Sequence, residues 1–346
     1  MTLLTPARPP RDASLRTLWV HNFDPSIPVG GVFMHTLADA VQACGVSVDM
    51  LYTGRLTRPV EIWRARSLLR ELSGEFDLVH AQYGSMCSLV ATAAQGPALL
   101  SLRGSDWYPL PEGTLSQRLH GNLANALTRR ALPHFDRVIV MSDAMRRDIQ
   151  AQRPRLARGP VDVVTDGLDL EMFRPLDRQA CRSKLGRGGD RRPWVLMTTL
   201  FDDNPVKRVP LAKAAVALAK QALPELVLKI ATGVPYKDMP LWVNACNAIL
   251  LTSEHEGWPN AIKEALACNV PFVSTDVSDL ATISASEPSC HTAAADPAAL
   301  AAALLETLGH APPQHLRQHV QAMEVRTVAR RLCGIYREML EQPCAA

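Results

Sequence analysis

Residues 251–276 read LTSEHEGWPNAIKEALACNVPFVSTD, and the overlapping run at 248–253 is AILLTS. AILLTS is short, continuously apolar and closed by polar residues, the pattern of a strand buried on both faces. PNAIKEALACN, 259–269, shifts to helical spacing, with Pro259 suited to a first helical turn, where a missing N–H is no loss. VPFVSTD, 270–276, returns to a β-branched apolar run. Strand, loop, helix and strand in this order describe a parallel crossover, since parallel neighbours need a connection long enough to hold a helix. Glu256 then falls on the loop leaving the strand and Glu264 inside the helix, with seven residues between them.

The same rhythm extends in both directions. TLWV (17–20), DLVHA (77–81), ALLSL (98–102), RVIVMS (137–142) and VDVVT (161–165) read as strands, with GVFMHTLADAVQACG (31–45) and SDAMRRDIQAQ (142–152) as helices, the latter capped by Ser142. A second series follows: WVLMTTL (194–200), LVLKIA (226–231) and the quoted strands, with helices at 209–223, after Pro259 and at 296–308. Between the two series, 166–193 exchanges periodic apolar spacing for Pro, Gly and charge. The expectation is an α/β protein of two Rossmann-like domains, 1–170 and 171–325. A closing helical segment, 326–346, has apolar spacing that suits packing against either domain, the N-terminal one included.

The length of 346 residues and 47% hydrophobic content support a globular chain with sizeable cores. With 37 basic against 34 acidic side chains there is no nucleic-acid footprint. No apolar run approaches the ~20 residues of a spanning helix. MTLLTPARPPRD, 1–12, is too interrupted by Pro and Arg for a signal peptide, so the expectation is a cytoplasmic protein with a loose N-terminus. The eight cysteines stand singly, without CxxC or Cys/His clusters, and read as buried free thiols rather than zinc ligands or disulfides.

The carboxyl end of a parallel strand followed by a helix N-terminus is where doubly wound sheets bind phosphorylated ligands, and Gly257 lets the backbone approach closely. A carboxylate on the loop meets one end of such a ligand, and one two turns along the helix meets another. A sugar nucleotide fits both, its pyrophosphate on the amides, its ribose diol on one carboxylate and its sugar on the other. Two glutamates at this spacing are, taken alone, more often solvated positions.

Their neighbours change that reading. Ser253, Glu256, Gly257, Pro259, Asn260, Glu264, Ala265, Thr275 and Asp276 match Ser-x-x-Glu-Gly-x-Pro-Asn-x-x-x-Glu-Ala followed by a strand and Thr-Asp. The segment thereby resembles the donor-site signature of retaining GT-B glycosyltransferases of family 4 (glycosyl transferases group 1). IPVGGVFMHTLADAVQACGVSVDM, 27–50, resembles that family's first glycine loop and helix, with Gly30 and Gly31 set to bring amides to the donor phosphates, though a Gly-Gly pair is equally an ordinary tight turn. NPVKR, 204–208, resembles the loop carrying a phosphate-binding Lys, here Lys207.

There are departures from the family pattern. Thr198 and Thr199 stand where Gly and Arg are usual, leaving Arg208 as the compensating charge. SLRGSDW presents Arg103 where a His is common, Asp166 replaces a frequent Asn, and Asn247 replaces an Asp. Arg cannot act as a base at neutral pH, so Arg103 suits recognition of an anionic sugar or an acceptor phosphate. His80, ending an apolar strand, suits a contact with the acceptor hydroxyl or donor sugar, or equally a hydrogen-bonded role at the strand end.

The resemblance implies a GT-B fold whose two domains face across a donor and acceptor cleft. It implies transfer of a sugar, with retention, from a nucleotide sugar to a saccharide or lipid-linked acceptor, as in bacterial surface polysaccharide synthesis. Glu256, His80 and Arg103 would stand nearest the chemistry. Gly30, Gly31, Lys207, Arg208, Gly257, Trp258, Pro259, Asn260 and Glu264 would form the donor-binding set. Neither a metal nor a further cofactor is expected, since no Asp-x-Asp triplet is present. A non-catalytic GT-B scaffold and a non-hydrolysing sugar-nucleotide epimerase are the alternatives. In VEIWRARSLLREL, 60–72, Trp63, Arg66 and Arg70 share a helical face; a solvated surface is the plainer reading, and contact with the inner face of an anionic membrane the other.

Overall fold

The computed structural model describes residues 2–4, 15–27, 30–54, 56, 58–110, 113–152, 159–201 and 204–341. They fall into two compact units, residues 1–167 with 325–346, and residues 168–324. In the first unit the strands are β1 (Thr2–Leu4), β2 (Arg16–His21), β3 (Ser47–Tyr52), β4 (Leu78–Ala81), β5 (Ala98–Leu102), β6 (Arg137–Val140) and β7 (Val161–Val163), in the sheet order β1-β3-β2-β4-β5-β6-β7. All neighbours pair in parallel except β1 with β3. Leu18, Val20, Val79, Leu100 and Val140 from the strands pack with Leu69, Val90, Met145 and Ile149 from helices, the layered core that continuous apolar runs require. Ser142 accepts from Met145 N and caps the helix Asp143–Ala151, as its sequence predicts.

The second unit holds β8 (Trp194–Thr199), β9 (Val227–Thr232), β10 (Ala248–Leu251), β11 (Phe272–Thr275) and β12 (His291–Ala293), all parallel, in the order β12-β11-β10-β8-β9. Val195, Leu250 and Val273 meet Ala212, Ala215, Leu300 and Leu304 in its core.

The chain leaves the first unit at Gly167 and returns at Val325, where a Cβ on Gly167 would lie 2.7 Å from Val325 Cα. The closing helix, Val325–Glu341, packs in the first unit on the helix Val32–Ala43.

The expectation of a loose N-terminus needs correction at Thr2–Leu4, which pair antiparallel with β3; residues 5–14 lie outside the described residues. Three residues on a sheet edge are too few for a legible alternation. The described cysteines are free, Cys44 only half-buried and the others buried; Cys344 lies outside the described residues.

Candidate functional site

In the second unit β9 pairs on one side of β8 and β10 on the other, so the winding reverses between β8 and β10. Loops leaving two such strands diverge and open a crevice at their carboxyl ends. One of these loops ends in the turn Pro205–Lys207, followed by Arg208 in the left-handed region (φ 48°) and the helix Val209–Ala219. The other runs from Thr252 to Pro259. The two are stitched together: Glu254 N donates to Val206 O at 2.8 Å, and Thr252 Oγ1 to Lys207 O at 2.7 Å. Thr275 Oγ1 and Ser278 Oγ anchor the second loop from behind, on Ser253 O and Gly257 O.

This framework brings the expected loop residues together. Lys207 Nζ donates to Glu256 Oε1 at 2.6 Å, and Ser253 Oγ donates to the same oxygen at 2.7 Å. Pro259 stands at the N-cap position rather than inside the first turn, and the helix begins at Asn260. Trp258 is buried beside it. Glu264, inside the helix Asn260–Ala267, is buried, and no described residue hydrogen-bonds its carboxylate. Burial pushes its pKa up to about 8, against the opposing pull of Lys263 and Lys207. In return it raises that of the neighbouring Tyr236 phenol, a residue the sequence did not single out, whose shift comes first from burial.

Arg208 is not placed as a phosphate ligand. Its guanidinium donates to Thr252 O, Ser253 O and the Glu254 carboxylate, so it braces the loop that carries Glu256. Thr199 is likewise spent locally, on Phe201 O. Asn247 Oδ1 accepts from Trp194 N and Arg182, both at 3.0 Å, and holds the start of β8.

In the first unit Gly31 has φ 74° and precedes the helix Val32–Ala43; a Cβ there would meet Phe23 Cβ at 2.9 Å. Gly30 N is spent on Ile27 O at 2.8 Å, so its amide does not point to a ligand. His80 must be corrected from a catalytic to a structural residue. It is buried, with Nδ1 on Tyr336 OH at 2.7 Å and Nε2 on Ser101 Oγ at 2.8 Å, and burial and Arg103 hold its pKa well below the usual range. Both nitrogens are committed to tying the closing helix to the sheet.

Arg103 also departs from its expected role. Its side chain donates to Gln82 O at 2.8 Å and Gln82 Oε1 at 2.9 Å, pairs with Asp166, and stacks over the Phe33 ring at 4.5 Å. A guanidinium so enclosed is not an open anion receptor. The two departures at 103 and 166 are one ion pair.

On the helix Pro59–Ser73, Trp63 and Arg70 are exposed, but Arg66 turns inward to Leu89 O and Thr92 Oγ1, at the carboxyl end of the helix Ser85–Ala91. A stripe that sequence reading missed lies on the helix Leu115–Ala131, where Leu115, Leu119 and Leu123 are 72%, 60% and 58% exposed. That helix contains Arg118, Arg129 and Arg130 and no acidic residue; the four-residue leucine spacing was the available signal. Among the described residues no helix is long and apolar enough to cross a membrane, and no three His, Cys, Asp or Glu side chains are grouped to hold a metal ion.

Two family descriptions match consecutive parts of the chain, glycosyl transferase 4-like domain over residues 2–167 and glycosyl transferases group 1 over 209–310. TuaC of Bacillus subtilis, named as a glycosyltransferase of teichuronic acid biosynthesis, is 26% identical over 224 residues, covering 60% of this chain and 55% of TuaC. A D-inositol 3-phosphate glycosyltransferase of Frankia alni is 30% identical over 153 residues, covering 35% of this chain and 38% of the relative. The chain thus spans about half the length of the curated relatives it matches, or less. Among solved structures, sucrose-phosphate synthase from Thermosynechococcus elongatus superposes with a TM-score of 0.73 at 15% identity, over 94% of this chain and 99% of that one. HepE of Anabaena, solved in complex with UDP-glucose, gives 0.61 at 16% identity over 94% of this chain and all of that one. The fold is that of the GT-B glycosyltransferases.

Proposed function

The chain belongs to the group 1 glycosyl transferases, and from that premise we propose that it transfers a sugar, with retention at the anomeric carbon, from a nucleotide sugar to a saccharide or lipid-linked acceptor. The observation that carries this reading is the pairing of Lys207 with Glu256 at the β8/β10 reversal, with Glu264 buried and unbonded in the helix that follows. Arg208, Thr252, Thr275 and Ser278 brace the two loops from within, which leaves the Lys207–Glu256 pair and the Glu264 carboxylate as the charges that suit a ligand.

In this reading the second unit holds the donor and the first presents the acceptor. Lys207 and the amides at the start of the helix Asn260–Ala267 receive the diphosphate, which departs with the electron pair of the broken anomeric C–O bond as an acceptor hydroxyl oxygen bonds the same carbon and passes its proton to the departing phosphate oxygen. In this reading these fixed positive groups do the work a metal does in other sites, so chelators should leave activity unchanged. Glu256 faces the transferred sugar, where positive charge develops, and Lys207 and Ser253 hold its carboxylate in place until the donor arrives. Glu264 accepts from the ribose hydroxyls. Complexes of HepE contain UDP and UDP-glucose, which supports a donor of this class. The TuaC likeness supports an acceptor in surface polysaccharide synthesis.

Peripheral contact with an anionic membrane is assigned to the Leu115, Leu119 and Leu123 stripe rather than to Trp63, Arg66 and Arg70, because the stripe's exposed apolar area lies on a helix that carries arginines and no acidic residue. A lipid-linked acceptor would be met at such a surface.

Calorimetry with UDP, GDP, ADP and dTDP tests the donor assignment directly. Binding by none of the four overturns it. Tight partner binding without sugar turnover would instead favour a scaffold, and a free epimerised nucleotide sugar an epimerase. Proton NMR of the transferred sugar's anomeric position reads retention or inversion.

A further inference from the structure

The first unit has the same kind of reversal as the second: β3 pairs on one side of β2 and β4 on the other. The carboxyl ends of β2 and β4 therefore flank a second crevice of the kind that binds ligands. A cluster of rings gathers there. His21 ends β2 and Phe23 follows it, Tyr52 ends β3, Tyr83 lies just past β4, and Phe33 and His35 stand at the start of the helix Val32–Ala43. Ring centroids separate His21 from Tyr52 by 5.6 Å and from Phe23 and His35 by 6.3 Å, and Phe23 from Phe33 by 5.2 Å and Tyr83 by 6.0 Å.

His21 is the anomaly in this cluster. It is 1% exposed, and neither ring nitrogen makes a hydrogen bond among the described residues. The Phe23 backbone lies close enough to oppose its pKa shift but not in bonding geometry. His80, buried to the same degree near the end of the adjacent strand, has both nitrogens satisfied. Leaving a buried donor or acceptor unmade is destabilising, and an apolar side chain of similar size would avoid it. His21 is therefore explained by a partner that arrives from outside.

The geometry points to a saccharide subsite, in which His21 hydrogen-bonds ring hydroxyls and Phe23 and Tyr52 receive the apolar face of the same sugar ring. This rests on the transferase reading and names the chemistry by which the first unit recognises the acceptor. Burial first, and His35 second, hold the His21 imidazole down at about 4, so it is neutral at physiological pH. A neutral imidazole offers one donor and one acceptor, as a hydroxyl does, whereas a phosphate is better met by a protonated ring. Phe23, Phe33, Tyr52 and Tyr83 are only half-buried, and His35 is exposed, so the cluster opens to solvent on that side. An apolar, aromatic wall with few polar groups is the usual make-up of a small-molecule site.

The test uses the full chain with ¹⁵N-labelled histidine, with the His21 ring signals identified by their loss in His21→Gln. The probes are the methyl glycosides of glucose, galactose, mannose and N-acetylglucosamine, and separately UDP. At least one glycoside is expected to move the His21 ring nitrogens. In Tyr52→Ala its affinity should be weaker by roughly three- to tenfold, while the His80 ring signals, reporting the folded unit, stay in place. If none of the four moves His21, or UDP alone does, the subsite assignment is overturned. UDP binding in the same sample, read by calorimetry, shows independently whether the donor reading stands.

Discussion

Replacing Glu264 by Gln should stabilise the free protein while weakening its hold on the nucleotide, two effects that a merely structural glutamate would not combine. The carboxyl has a pKa of about 8 in the folded chain, against an ordinary value of 4.5. A raised folded value means the native state keeps a proton that the unfolded state has released. Stability is therefore full below about pH 4.5, falls as pH rises through the interval, and levels off above about 8. The shift corresponds to a maximum of roughly 5 kcal/mol at ~1.4 kcal/mol per unit. For a unit of this size that is on the order of 10 °C in melting temperature. Glu264→Gln removes this step, so its melting temperature should exceed wild type at pH 8 and match it near pH 4.5. Ribose hydroxyls bind the ionised carboxylate best, so wild-type affinity for UDP should rise with pH toward 8. The variant should show no such rise, and at pH 8 it should bind UDP about tenfold or more weakly, for the loss of a charge-assisted hydrogen bond. Melting curves across pH and calorimetry at two pH values measure both. Parallel melting curves for the two proteins would refute the burial reasoning, and unchanged UDP affinity the ribose assignment.

Glu256→Gln should lower kcat far more than donor affinity in steady-state kinetics, since the charge acts on the transition state; full turnover would remove Glu256 from the chemistry. Asp166→Asn removes the partner of a nearly buried Arg103 guanidinium and should lower stability in urea unfolding by about 3–5 kcal/mol, with much of the loss recovered in Arg103→His/Asp166→Asn. A stable single variant would show that the pair does not act as one unit. Gly31→Ala meets both a positive φ and Phe23 at 2.9 Å, so it should lower the melting temperature more than Gly45→Ala, whose φ is also positive but which faces open space; equal losses would mean Phe23 yields freely. Leu119→Glu should reduce sedimentation with phosphatidylglycerol vesicles at low salt, and a wild-type protein that ignores such vesicles removes the membrane assignment.

The βαβ rhythm was legible because a parallel strand covered on both faces must be apolar along its whole length, as β5, β6 and β10 are. The three-residue edge strands β1 and β12 carry no such run, and nothing local distinguishes them from loop. The loop chemistry around Glu256 was legible for a related reason: Ser253, Glu256 and Glu264 lie on one continuous segment, so their spacing is itself the geometry. Lys207 joins them from 49 residues away only because the β8/β10 reversal brings the two loops together. Where partners come from distant elements, residue type misleads. Arg103 and Asp166 read as two unrelated departures until the fold closes them into one pair.

The two histidines at the ends of β2 and β4 show the same limit more sharply. In the sequence each follows an apolar strand, and His80 is the more conspicuous. Its role is settled by Tyr336, 256 residues away, which with Ser101 consumes both ring nitrogens. At His21 no described residue does so. Whether a buried polar group is satisfied is a property of the whole fold, and a ligand is the partner a fold leaves out. Residues to test for function in this chain are therefore ones whose burial is unexplained by their neighbours, such as His21 in the first unit and Glu264 in the second, rather than those whose type alone suggests chemistry.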